Sequence, residues 1–147
     1  MSPTLTQQTL GNELHTEVTR FYAAQMQLLD RRAAVEWADT FTEDGVFQAN
    51  GLPEPSRGRE AIAAGALRAG QALEQAGLVH RHWLGMVTVD EQPDGTVTAR
   101  SYALVLQIPL GGEAKIHRST VCQDVLVRAE DGTLLVLERT VTRDDLG

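Results

Sequence analysis

The chain has 147 residues, with 42% hydrophobic and 22% charged side chains and a formal net charge of −7. That length suits one globular domain with a core of its own, and the composition is that of an ordinary water-exposed protein. No apolar run approaches the ~20 residues that span a bilayer, and basic residues do not cluster along the chain as a nucleic-acid surface would require. Cys122 is the single cysteine, so intrachain disulfides and cysteine-based metal sites are excluded, and a reducing, cytoplasmic setting is the default expectation. Residues 1–11 read as a flexible arm: the start Met1–Thr9 has neither the basic opening nor the apolar stretch of a secretory signal.

From about Asn12 to Leu29, Leu14, Val18, Phe21, Tyr22, Gln25 and Leu29 recur at helical spacing, which predicts an amphipathic helix with His15 on its polar side. Asp30 is of the type that caps a following helix, and Ala34, Trp37, Ala38 and Phe41 form that helix's apolar stripe. A turn at 42–45 and a short strand at 46–49 follow. After a Pro-rich loop, a third helix runs from about Arg57 to Ala76 and ends at Gly77. It is rich in Ala and Gly, so it packs closely and contributes little bulk.

The remainder reads as strand. Segments at 80–90, 96–109, 114–128 and 133–143 are divided by Pro93-Asp94-Gly95, Gly111-Gly112 and Glu130-Asp131-Gly132, which are hairpin signals. The expected architecture is α+β: a curved, mostly antiparallel sheet forms a cone-shaped half-barrel, covered by three N-terminal helices. The interior of such a cone is the expected pocket. One face of the first long strand carries His80, His82, Leu84 and Met86, because side chains two apart point the same way. Histidine exchanges protons near neutral pH, so that face is where proton-transfer chemistry would sit. Two alternating histidines with no placed carboxylate fall short of a metal ligand set, and neither a Gly-x-Ser-x-Gly elbow nor a glycine-rich phosphate loop is present. No metal or cofactor is expected.

Three motifs carry a family resemblance: Trp37–Phe47, Arg57-Gly58-Arg59-Glu60-Ala61-Ile62, and His82-Trp83-Leu84-Gly85. Together with the element order from Leu14 to Arg143, they resemble the nuclear transport factor 2-like superfamily. Within it the chain is most similar to the SnoaL-like branch of polyketide cyclases and scytalone dehydratase, and to the small subunits of ring-hydroxylating dioxygenases. The resemblance implies a cone with a mostly apolar cavity, a homodimer formed through the outer sheet face, and a small hydrophobic or aromatic substrate. It implies a cofactor-independent cyclase or dehydratase working by acid–base catalysis. The alternatives on this fold are a non-catalytic ligand-binding or accessory subunit with an apolar, filled cone, or an isomerase or epoxide hydrolase that relies on a pocket aspartate.

By that resemblance His82 takes the dehydratase's cavity-histidine role, and Asp30 corresponds to an aspartate that orients a histidine or a water. Gln107 stands where the dehydratase has a second histidine, so its two-histidine mechanism does not carry over intact. Tyr22 and Trp37 are core aromatics that border the cavity. With Ser101 (favoured over Tyr102 to face inward), Gln107 and His117 they complete the candidate substrate contacts. His80 is expected at the rim, facing solvent. Asp124 and Arg139 read as a structural charge pair in an outer-face network that Arg118 joins by parity.

Overall fold

A computed structural model describes residues 4–147. Helix α1 (Leu5–Asp30) starts well before Asn12: Thr4 accepts from the Gln7 backbone N–H, and the Gln7 side chain accepts in return from Thr4 N–H. This reciprocal cap satisfies donors that a helix start otherwise leaves open. Residues 5–11, expected as a loose arm, are therefore helical and exposed, while residues 1–3 of that arm lie outside the described residues.

Next come α2 (Ala34–Ala38), β1 (Phe41–Ala49), the two-residue β2 (Ser56–Arg57) and α3 (Arg59–Ala76). The meander follows as β3 (Leu78–Glu91), β4 (Val97–Pro109), β5 (Lys115–Arg128) and β6 (Leu134–Arg143), with a 3-10 turn at Asp144–Leu146. Three helices and one six-stranded sheet of order β2-β1-β6-β5-β4-β3 give the expected α+β class. The sheet is mixed only because β1 runs parallel to β6.

The expected turn at 42–45 is a bulge inside β1, where the register to β6 shifts between Phe41 and Val46. A Cβ on Gly45 would lie 3.0 Å from the Thr42 carbonyl oxygen and 3.1 Å from Phe41 Cβ, so the kink crowds any side chain and favours glycine. Gly77 ends α3 in the left-handed conformation (φ 68°), as expected of a glycine at that position.

The sheet register separates core from cavity. Val97, Ala99, Leu126, Leu134 and Val136 cluster at one end of the inner face, sealed by Val18 and Tyr22 of α1. The other end of the same strands, from His80 and His82 through Ala103 and Val105 to Thr120 and Val141, lines a cavity. A bulge in β3 between Gly85 and Thr88 marks the divide. It holds Met86 at φ 53° and turns its side chain outward, 80% exposed, while Val87 and Val89 pack on the core. Met86 thus leaves the face it was expected to share with His82, because one inserted residue reverses the alternation.

No helix is long and apolar enough to cross a membrane among the described residues.

Candidate functional site

The cavity has a volume of about 890 Å³. Met26 and Leu29 of α1, Trp37 of α2, Phe47 of β1 and Ile62 of α3 supply apolar wall. α3 helps to keep it empty, because Gly65, Ala66, Ala69 and Gly70, four of the residues this helix turns toward it, have little or no side chain.

Into this wall the chain sets one close polar pair. Asp30 is the last residue of α1, at the negative end of the helix dipole, where a carboxylate is locally disfavoured by about 0.3–1 kcal/mol. Its Oδ1 lies 2.6 Å from His82 Nδ1, and its Oδ2 accepts from the His82 backbone N–H at 3.2 Å. The capping alternative for Asp30 does not hold: α2 is preceded by Ala33 and has no side-chain cap. The Asp30 side chain is 8% exposed and that of His82 22%. A carboxylate bridging both the ring and the backbone of one residue fixes the imidazole plane and keeps the proton on Nδ1. In the neutral ring Nε2 then carries the lone pair, and it has no hydrogen-bond partner among the described residues. An imidazole held this way is chemically able to accept a proton from a neighbouring group and to return it.

His80 departs from expectation. It is half-buried and lines the cavity instead of facing solvent. It sits opposite Gln107 in the β3–β4 ladder, with Nε2 at 2.9 Å from Gln107 Oε1. A second bulge, between Val105 and Leu106 on β4 opposite β5, skips His117 in the pairing and brings its ring 5.1 Å from that of His80. His117 therefore lies on the inner side, a point its strand parity left open. Desolvation, followed by the charges of Arg118 and His80, lowers its pKa. Gln107 reaches the cavity only through His80.

Ser101 and Tyr22 are placed differently from a substrate contact. Ser101 is 1% exposed, packed opposite Cys122 below the cavity, and its Oγ has no partner among the described residues. Tyr22 is core: its hydroxyl donates to Asp124 Oδ2 at 2.6 Å. Burial, reinforced by the Asp124 charge, pushes the Tyr22 pKa far up, so the phenol stays a donor. Trp37 does line the cavity, and its buried Nε1 lacks a partner among the described residues.

The Asp124–Arg139 pair belongs to the inner face, not to an outer-face network. Arg139 Nε and Nη2 reach the two Asp124 oxygens at 2.9 and 2.8 Å, and Nη2 also donates to Gln25 Oε1 at 2.7 Å. Gln25 in turn donates to Thr40 Oγ1. α1, β5, β6 and the α2–β1 turn are thus tied through one buried fork, and Cys122 beside it has its pKa pushed up by burial to about 12. The pair is the structural charge pair expected, but on the inner side of the sheet. What marked it in the sequence was Gln25, a polar residue on the apolar stripe of α1. Arg118 remains half-buried and donates to the His117 carbonyl oxygen, outside this network. No three metal-ligating side chains converge among the described residues.

The comparisons with known proteins fit this geometry. Residues 12–140 match the SnoaL-like domain. Aln2 from a Streptomyces species is similar at 36% identity and TM-score 0.84, with 99% of this chain and 96% of that one covered. ActVI-ORFA from Streptomyces coelicolor is similar at 36% identity and TM-score 0.84, over 90% and 96%. A protein from Catenulispora acidiphila in complex with S-DNPA is similar at 38% identity and TM-score 0.81, over 92% and 96%. No curated protein matches the chain. With the match running from α1 into β6, the chain belongs to the SnoaL-like domain family, within the nuclear transport factor 2-like superfamily that its motifs had indicated.

Proposed function

We propose that this protein is a cofactor-independent enzyme of the polyketide cyclase/dehydratase type, acting by proton transfer on an aromatic or polyketide-like molecule held in the cavity. The observation that carries this reading is the 2.6 Å contact between Asp30 and His82 at the wall of the cavity. Nε2 of His82 is the base that removes a proton beside a carbonyl, and the imidazolium so formed, held by Asp30, returns that proton to a leaving hydroxyl or an enolate carbon. Asp30 is a positioning residue. The shape of the cavity fixes the ligand in a reactive fold, where positioning contributes several kcal/mol of barrier reduction. The similar Catenulispora protein, in complex with S-DNPA, supports a small-molecule ligand. A filled cone would have favoured the accessory-subunit reading; this cone is open.

The experiment uses a neutral bicyclic ketone, 2-tetralone, incubated with the protein in D2O and followed by proton NMR. The protein should accelerate loss of the α-proton signal over buffer, and so should His15→Ala, whose imidazole bonds the Val87 carbonyl oxygen outside the cavity. Exchange no faster than in buffer would count against a proton-transfer enzyme.

The same reading includes a homodimer through the outer face of the sheet. Trp83, Tyr102 and Ile116 stand on that face, 69%, 51% and 63% exposed, around a half-buried Leu104. Such an apolar patch on a sheet is a typical association surface. Light scattering should give twice the chain mass for the wild type and a single chain mass for Trp83→Glu. A wild type that is monomeric at tens of micromolar removes the dimer.

A further inference from the structure

The chain carries 20 acidic against 13 basic residues, yet its cavity is lined by five arginines and one carboxylate. Two of those six charges are already engaged: Arg139 is neutralised by Asp124, and Asp30 is committed to His82. The remaining four, Arg31, Arg32, Arg68 and Arg81, are exposed residues from three separate elements, the α1–α2 turn, α3 and β3. Arg31 and Arg32 are adjacent, whereas Arg68 and Arg81 lie far along the chain, and the fold gathers them. Their exposure at the edge of an apolar cavity makes them its rim.

Arg32 is fixed there. Its left-handed backbone (φ 63°) turns the side chain across α3, with its stem packed over Gly70. Nη2 donates to the Leu78 carbonyl oxygen at 2.9 Å, and Glu74 stands 3.9 Å from Nη1. The side chains of Arg31, Arg68 and Arg81 make no hydrogen bond or ion pair among the described residues. Three unengaged guanidiniums at one opening, in an otherwise acidic protein, focus a positive potential where a ligand enters. An ordinary hydrophobic pocket has no use for them.

We propose that the ligand of this cavity is an apolar molecule bearing an anionic oxygen group, a carboxylate or a phosphate, held by the rim formed by Arg31, Arg68 and Arg81. This deepens the acid–base reading of the same cavity and rests on it for orientation: with the anion at the rim, the apolar body lies inward and presents its carbonyl to His82. Guanidinium forks match either anion in two-point geometry, and the apolar interior explains why a free inorganic anion would not suffice.

Calorimetric titration with 1-naphthaleneacetate, 1-naphthyl phosphate and the neutral 1-naphthaleneacetamide separates the possibilities. At low salt at least one anion should bind about tenfold tighter than the amide, as expected for hydrogen bonds to a charged group. Whichever anion binds more tightly identifies the group. The preference should shrink in about 0.5 M NaCl and vanish in the triple variant R31Q/R68Q/R81Q, whose fold is verified by circular dichroism. Arg100→Gln, on the exposed outer face beside Tyr102, should keep it. Equal binding of all three probes, binding of none, or a preference that survives the triple variant overturns the proposal. The titration reads binding alone and the tetralone exchange uses a neutral ketone, so either reading can fail while the other stands.

Discussion

Replacing Asp124 by asparagine is expected to destabilise the protein by about 3–5 kcal/mol, which for a domain of this size lowers the melting temperature by roughly 10 °C. The carboxylate is 3% exposed and answers both Arg139 donors and the Tyr22 hydroxyl. Asparagine fits the space, but it removes the charge that compensates Arg139, itself 3% exposed. An uncompensated buried guanidinium is the costly outcome, more than the loss of any one hydrogen bond. Tyr22→Phe, which leaves the ion pair intact, should cost only about 1–3 kcal/mol. Thermal melts at one protein concentration compare the two, since association would otherwise shift both. A loss below about 1 kcal/mol for Asp124→Asn would show that the fork is dispensable to the fold.

The second large effect falls on turnover. His82→Ala should lower the rate by about 10²- to 10⁴-fold, the usual contribution of a positioned acid–base group, with the circular dichroism spectrum unchanged. Asp30→Asn keeps the size and the contact to Nδ1 but offers an amide to the ring, so the tautomer is no longer imposed. A loss of about 10- to 100-fold is expected, smaller than that for His82. Because Asp30 acts through His82, the reduction should appear in kcat with little change in KM. A purely structural Asp30 would instead lower the melting temperature and leave kcat per folded molecule as it was.

How legible the molecule was in its sequence varies by element. Strands and hairpins were plain, since Asp-Gly and Gly-Gly turns and long alternating runs are local signals. The errors came from bulges. One residue inserted at Met86 and another near His117 reverse the alternation, and parity counted through a bulge fails beyond it. Asp124 and Arg139 were misplaced for a related reason: a charge pair on a strand reads as outward-facing until Gln25 and Tyr22 of α1 are seen to cover it. Asp30 needed the third dimension as well, because its partner lies 52 residues away. The family motif marked His82, but nothing local indicated that the carboxylate would bridge both ring and backbone. The rim arginines were wholly illegible, being scattered in a chain whose net charge points the other way.

The central claim is that Asp30 and His82 act as one proton-transfer unit. Its most direct test is the rate of α-proton exchange of 2-tetralone measured for four proteins: wild type, Asp30→Asn, His82→Ala and the double variant. If Asp30 works only through the imidazole, the double variant exchanges at the same residual rate as His82→Ala, so the two losses do not add. A folded His82→Ala protein that exchanges at the wild-type rate, or losses that multiply in the double variant, would contradict the account.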